Sequence, residues 1–361
     1  MQHIDADRVL MKESATAQLS EGDLELLDAL QTDPRASWAD IAAAIGVDAV
    51  TAARRWQRLE REQLAWCTVA LGPRQSRSLQ LSVSEISCVA GAAPQVAEQL
   101  STLACVITVH HVAGTCDIWA VVVAPTMPEL AHRLMYDIPT MPGILSVRNR
   151  IVSRSYTTGH WRVRALPDTK VAALRGSSAR PAPDTRPMDE VDRTLFVALS
   201  GNGRASFVEL AEHSGLTARS VQRRVQQMRA RGDIEFRCDI ARMAGGWHAA
   251  AVLWLDVPDE YLDSIGSDLG GWAQTRTCMA VTGPQNLMWT VALHDLGELH
   301  AVVEKLRMCH PEVRIGDRHA VLRTVKLYGR LLDENGRCYG SVPLDFWKQD
   351  ADTRTMSPIE K

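Results

Sequence analysis

Two stretches of this chain carry arginines at spacings that could read nucleic acid: AVTAARRWQRLER from Ala49 and ARSVQRRVQQMRAR from Ala218. A guanidinium can meet a guanine edge with two parallel N–H donors, and a glutamine amide can do the same for adenine. Residues four apart on a helix share a face, so Arg54 and Arg58 project together, as do Arg219 and Arg223. The candidate DNA-facing set is therefore Thr51, Arg54, Arg55 and Arg58 in the first stretch. In the second it is Thr217, Arg219, Ser220, Arg223 and Arg224, with Gln222 and Gln226 as further readers.

Such side chains reach bases only if the helix bearing them is held at a fixed angle, and the preceding text supplies the holders. Leu24, Leu27 and Leu30 line one side of a first helix that Asp33 and Pro34 should end. Ser37 is a good N-cap for a short second helix, Trp38 to Ala44, and Gly46 breaks the pattern before a third, Ala49 to Arg61. The same solution recurs 169 residues later, from Leu19 to Met188 in constant register, with Leu195, Phe196 and Leu199 on the first helix. Ser206, Leu210 and Gly215 then match Ser37, Ile41 and Gly46, and Thr217 can cap Ala218 to Arg231. A short helix, a glycine turn and a third helix is the arrangement that sets a recognition helix in the major groove. The plainer alternative is a pair of packing bundles with ordinary solvated arginines.

Charge separates the two copies. The formal net charge of -3 argues against indiscriminate coating of nucleic acid. Between Leu19 and Glu62 there are five Arg against nine acidic residues, whereas Met188 to Arg231 has seven Arg against five. The second copy has the stronger electrostatic case for touching phosphates.

After each helical copy the period becomes strand-like. Residues 79 to 89, 104 to 110, 117 to 124 and 144 to 154 read as strands, with helices near 94 to 102 and 127 to 138. The second half repeats this with strands 248 to 256, 275 to 282, 287 to 293 and 318 to 326, and helices 259 to 267 and 295 to 308. The order strand, helix, strand, strand, helix, strand predicts a ferredoxin-like antiparallel sheet with helices on one face. The hairpins VAGTCDIWA and VTGPQNLMW set Gly114 opposite Gly283 and Asp117 opposite Asn286 at the same offset.

The expected fold class is thus α+β, with helix-turn-helix and βαββαβ domains in tandem. The expected division is a flexible start at 1–17, helical domains at 18–72 and 188–240, sheet domains at 76–165 and 245–330, and a tail at 331–361. The Pro-containing stretch 166–187 reads as a solvated linker. Eight cysteines form no CxxC pair and read as reduced thiols of a cytoplasmic protein. No segment approaches 18 apolar residues, and the start lacks a secretory pattern, so neither membrane nor export is expected. His110 and His111 are adjacent on a strand, point to opposite faces and form no metal site by themselves. No HxxxH, GxSxG or phosphate-loop pattern appears, and no metal, cofactor, catalytic set or enzyme is expected.

The text MDEVDRTLFVALSGNGRAS and LSEGDLELLDALQTDPRAS, followed by ELAEHSGLTARSVQRRVQQM and DIAAAIGVDAVTAARRWQRL, resembles the Lrp/AsnC (feast/famine) family of transcription regulators. The hairpin Gly114 to Asp117 and the closing PGILSVRNRIVSRSY extend the resemblance, which covers about residues 19 to 160 and 188 to 328. It implies a winged helix-turn-helix reader on a regulatory domain that dimerises through its sheet, and assembly into dimers or higher homo-oligomers. It also implies an amino acid or related small-molecule effector near the hairpin, at Gly114, Asp117, Gly283 and Asn286. Asn286 departs from the family's aspartate and loses a charge, which predicts unequal sites. The expected function is a sequence-specific regulator of transcription, with double-stranded DNA as partner and one chain acting as a pseudo-dimer. The alternative is a small-molecule-sensing or assembly protein whose helical domains mediate protein contacts.

Overall fold

The computed structural model describes residues 19–157, 161–176 and 186–347. The start at 1–17, part of the linker and the last residues of the tail lie outside them.

In the first half, α1 (Glu21–Thr32), α2 (Trp38–Ile45) and α3 (Ala49–Arg61) form a helical unit. Ser20 starts α1 with a reciprocal cap: its hydroxyl accepts from the Asp23 N–H, and Asp23 accepts from the Ser20 N–H. Ser37 and Asp48 cap α2 and α3 in the same way at one end. Between them Gly46 takes φ +76°, a left-handed conformation that a side chain would strain, and this turn aims α3. Leu26, Leu27, Leu30, Ile41, Trp56 and Leu59 close the unit's core.

The chain continues through β1 (Ala65–Leu71), α4 (Pro73–Ser78), β2 (Gln80–Cys88), α5 (Ala93–Thr102), β3 (Val106–Ala113), β4 (Ile118–Ala124), α6 (Met127–His132), β5 (Ile144–Ser155) and α7 (Asp168–Gly176). The second half gives α8 (Glu190–Gly201), α9 (Phe207–Ser214), α10 (Ala218–Arg231), β6 (Ile234–Ile240) and β7 (Ala249–Asp256). It then runs through α11 (Leu262–Gly271), β8 (Thr275–Val281), β9 (Leu287–Leu293), α12 (Glu298–Cys309), β10 (Arg314–Leu327), β11 (Arg330–Leu332) and β12 (Cys338–Ser341). The α+β class with tandem helix-turn-helix and ferredoxin-like domains is the one found.

The sheet orders β3-β4-β2-β5 and β8-β9-β7-β10 are the same ferredoxin-like order written twice. Their last strands are long, and each leaves its own sheet to enter the other: β5 pairs with β8, and β10 with β3. Val152 faces Val281 at one junction and Val321 faces Val112 at the other, the same repeat positions with the halves exchanged. Eight strands thereby close on themselves, which removes the open edges that two separate sheets would present. Val83, Val121, Val252, Trp254, Met279 and Met288 fill the space inside. Outside, α5 and α6 cover Val106, Ile118 and Val122, while α11 and α12 cover Leu253, Leu255 and Trp289.

A second junction joins the helical units. β1 pairs antiparallel with β6 so that Thr68 stands opposite Arg237, its own counterpart 169 residues on, and the halves meet about a local twofold. The connection expected to be solvated is instead partly a helix: Leu166 and α7 residues Val171 and Leu174 are buried against the first helical unit. Its short VAAL run is apolar enough to dock once a groove is present. The tail docks on the second unit, with Leu344 and Phe346 buried and the rings of Phe346 and Trp347 5.8 and 5.5 Å from Phe196. Among the described residues no helix is long and apolar enough to cross a membrane.

Candidate nucleic-acid interface and effector hairpins

Thr217 begins α10, its hydroxyl accepting from the Ser220 N–H, and Val221, Val225 and Met228 anchor the buried side. The opposite side leaves Arg219, Gln222, Arg223 and Gln226 exposed, at spacings of three, one and three residues that make a single stripe. The corresponding stripe of α3 is Val50, Ala53, Arg54 and Gln57, with Val50 68% exposed. The two faces occupy matched positions with different chemistry: two guanidiniums and two amides on one, one of each beside apolar groups on the other.

Not every arginine assigned to these faces is free to read. Arg224 donates to Asp189 at 2.8 Å and to Asp192 at 2.9 Å, tying α10 to the start of α8. Hydrogen bonding to Asp189 raises the pKa of Arg224 despite partial burial. Arg58 pairs with Asp23 at 2.5 Å and Glu62 at 3.1 Å, and the bond to Asp23 raises its pKa likewise. Burial works to raise the Asp23 pKa, but bonds from Ser20 and Arg58 leave it lowered. Arg55 lies against Gly22 on α1. Thr51 donates its hydroxyl to Asp48 at 2.7 Å, and Ser220 sits beside the Thr217 hydroxyl at 3.0 Å. The structure therefore divides the expected set: Arg54, Arg219, Gln222, Arg223 and Gln226 face outward, while Arg55, Arg58 and Arg224 pack on the first helix of their units.

Sequence periodicity missed the residues that fix the two units together. Arg35 of the first unit donates to the Gly203 and Ala205 carbonyls at 2.8 and 3.0 Å and lies over the Phe207 ring. Arg204, at the same repeat position, donates to the Pro34 and Ala36 carbonyls and lies over the Trp38 ring. The recurrence of RAS in both copies was the available signal.

At the hairpins, Asp117 accepts from the Cys88 N–H at 2.7 Å, and Asn286 accepts from the Val257 N–H at 3.0 Å. These are matched bonds, so aspartate and asparagine do the same job of tying the hairpin to the end of its first strand. Asn286 adds a donor that reaches the Val257 carbonyl at 2.7 Å. A Cβ on Gly114 would collide with the ring of His319, and one on Gly283, at φ +116°, would lie 2.9 Å from the Arg150 guanidinium. The space directly beside these glycines is thus taken by a side chain of the other half.

His319 accepts or donates at Asp317 2.9 Å and Thr115 3.1 Å away, with Cys116 Sγ 3.9 Å from its other ring nitrogen. Glu85, Cys116 and His319 together group potential metal ligands. Their geometry suits a hydrogen-bonded junction better than an ion, because Glu85 and Cys116 approach different nitrogens of one ring and Glu85 is paired with Arg150 at 3.1 Å.

Comparison with known proteins adds to this geometry. The model of the AsnC-type helix-turn-helix domain matches residues 19–60 and 188–229, and that of the Lrp/AsnC ligand binding domain matches 83–161. The HTH-type transcriptional regulator LrpA of Mycobacterium tuberculosis is 26% identical over 33% of this chain and 81% of its own length. The Bkd operon transcriptional regulator of Pseudomonas aeruginosa is 26% identical over 35% of this chain and 85% of its own. A crystal structure of the siroheme decarboxylase NirDL, 13% identical, covers 88% of this chain and 96% of that one at a TM-score of 0.55. That likeness concerns the fold alone. It corrects the expectation of no enzyme, because nearly the whole tandem architecture is one in which an enzyme is built.

Proposed function

We propose, for a chain that belongs to the Lrp/AsnC family of transcription regulators, with the family's helix-turn-helix matched twice and its ligand binding domain once, that a single polypeptide acts as a pseudo-dimer reading two unequal DNA half-sites. The observation that carries this is the pair of outward stripes, Arg219, Gln222, Arg223 and Gln226 on α10 and Val50, Ala53, Arg54 and Gln57 on α3, on units fastened reciprocally through Arg35 and Arg204.

In this reading α10 lies in a major groove with Arg219 and Arg223 directed at guanine edges and Gln222 and Gln226 at adenine. α3 presents Arg54 and Gln57 beside Val50 and Ala53, whose apolar surface suits a thymine methyl. Thr217 and Ser220, at the start of α10, are placed to meet phosphate, since the helix dipole favours an anion there, whereas the N–H and hydroxyl of Thr51 are both taken by the Asp48 carboxylate, so that Thr51 serves the cap of α3. Arg55, Arg58 and Arg224 serve by holding each reading helix on its unit. The half-sites then differ in sequence and lie about one helical turn, or a multiple, apart.

Control by an amino acid or related small molecule is the finer part of the proposal, at the exposed hairpins Gly114–Asp117 and Gly283–Asn286. A ligand amino group at Asp117 competes with the Cys88 N–H, so occupancy would loosen the hairpin from β2; Asn286, without charge, is the weaker site. The test is selection of bound sequences by the full chain from a random duplex library at moderate salt, with and without a pool of amino acids. Enrichment of two unequal half-sites at helical spacing is expected. Absence of enrichment under both conditions, with equal affinity for unrelated duplexes, overturns the proposal.

A further inference from the structure

A narrow cavity of about 40 Å³ lies within the closed sheet beneath the β1–β6 ribbon, lined by His110, Trp119, Arg237, Arg242 and Arg276 and floored by Met279, Val291 and Val321. Its charges do not balance. Asp239 is the carboxylate beside it, bonded to Arg237 at 2.6 and 2.8 Å and to Arg276 at 3.2 Å, while Arg242 donates to the Thr324 hydroxyl at 3.0 Å. The cavity lining itself contains no carboxylate. Three guanidiniums against one carboxylate, with Arg237 buried and Arg242 and Arg276 half-buried, leave an excess of positive charge about the cavity, and such charge attracts a counter-ion.

Polar atoms also go unused. Nη1 of Arg237, Nε1 of Trp119 and Nδ1 of His110 are buried without a hydrogen-bond partner, in residues 3%, 2% and 8% exposed. Burial and the neighbouring Arg242 and Arg276 push the His110 pKa down to about 3, so the ring is neutral. Burial, then repulsion from Arg242, brings Arg276 down to about 9, and burial lowers Arg242 too.

The duplication shows that this set is not inherited symmetrically. At the positions matching Arg237, Arg242 and Arg276 the first half has Thr68, Pro73 and Ile107. At those matching His110 and Trp119 the second half has Met279 and Met288. Cationic and donor groups have gathered on one side of the local twofold, around one cavity.

We propose that this cavity binds a small carboxylate of two or three carbons, its charged end held by Arg237, Arg242 and Arg276 with Trp119 donating, and its apolar end on Met279, Val291 and Val321. Planar guanidiniums match a carboxylate with parallel N–H donors. The volume admits about three waters or a ligand of comparable size. A zwitterionic amino acid is disfavoured because its ammonium would enter a site already rich in positive charge. The site is distinct from the hairpins and independent of whether the reading stripes bind DNA.

The experiment is calorimetric titration of the full chain, dialysed into low-salt buffer, with pyruvate, acetate, alanine and chloride, each as its sodium or free form. In parallel, protein as purified is unfolded and the released carboxylates are quantified, so that a site filled during expression registers as release of about one equivalent. The expected result is saturable binding of pyruvate or acetate, or that stoichiometric release, with alanine at least tenfold weaker than pyruvate. Arg276→Ile, which restores the residue of the other half, and Arg242→Gln should each weaken carboxylate binding at least tenfold. The comparison of pyruvate with alanine on the unaltered chain stands even if a variant fails to fold. Neither carboxylate binding nor release, equal binding of alanine, binding of chloride alone, or folded variants that bind as the parent does would overturn the proposal.

Discussion

Arg223 and Arg224 are neighbours in sequence with opposite fates. Arg223 is exposed, whereas Arg224 closes a cluster about Asp192, a fully buried carboxylate that also meets Arg186 at 2.7 Å and the buried Arg231 at 2.9 Å. Arg223→Ala is expected to cost about 1–3 kcal/mol of operator affinity and relax preference at one base position, measured by selection and titration, with stability unchanged. Arg224→Gln is expected to lower unfolding stability by about 1 kcal/mol in denaturant while leaving base preference as it was. A variant of Arg223 that keeps operator affinity would remove it from the reading face. The distinction was not legible beforehand because helical spacing identifies which residues share a face. It does not reveal that a carboxylate on another helix has drawn one of them inward. The same holds at the hairpins, where the glycines are explained by His319 and Arg150, residues that the folded ring brings from the opposite half.

At the scale of elements, capping and turn chemistry were the most legible features. Ser37, Thr217, Gly46 and Gly215 do in the structure what their residue types allow: side-chain oxygens accept N–H groups at helix starts, and the two glycines turn left-handed at φ +76° and +66°. Gly215→Ala should therefore destabilise the chain by about 1–2 kcal/mol, the cost of a Cβ in that conformation, read as a lower denaturant midpoint with the slope unchanged. No atom lies within 4 Å of the added carbon, so the loss would come from backbone strain and not collision. An unchanged midpoint would mean that the turn relaxes and that Gly215 does not set the angle of α10. The eight principal sheet strands could be placed from alternation and apolar runs. β1 and β6 could not, because AWCTVAL and IEFRCDI become a ribbon only when each finds the other across the duplication. The helix α7 was hidden for a related reason, since the groove that rewards its few apolar residues belongs to another unit.

Across the whole molecule the repeat offset foretold two equivalent halves but not how they join. The closed ring of strands, the β1–β6 ribbon and the Arg229–Asp33 pair at 3.2 Å do so, as does the exchange of Arg35 and Arg204. The last bears directly on function because it connects the two reading units without passing through the sheets. Each arginine satisfies two carbonyls of the opposite unit and covers an aromatic ring there, and burial brings the Arg35 pKa down to about 10. Fixing two readers relative to one another makes binding of the second half-site effectively intramolecular, and that advantage disappears when the geometry loosens. Arg35→Ala combined with Arg204→Ala should consequently weaken binding to a two-half-site operator at least tenfold and broaden the permitted spacing between half-sites. Affinity for an isolated half-site should stay close to that of the parent chain, because neither arginine lies on a reading stripe. The measurement is titration of duplexes whose half-sites are moved apart one base pair at a time, with circular dichroism confirming that the helical units remain folded. A folded double variant that keeps the parent's sharp spacing preference would assign the alignment of the two readers to the ribbon, the closed sheet and the Arg229–Asp33 pair.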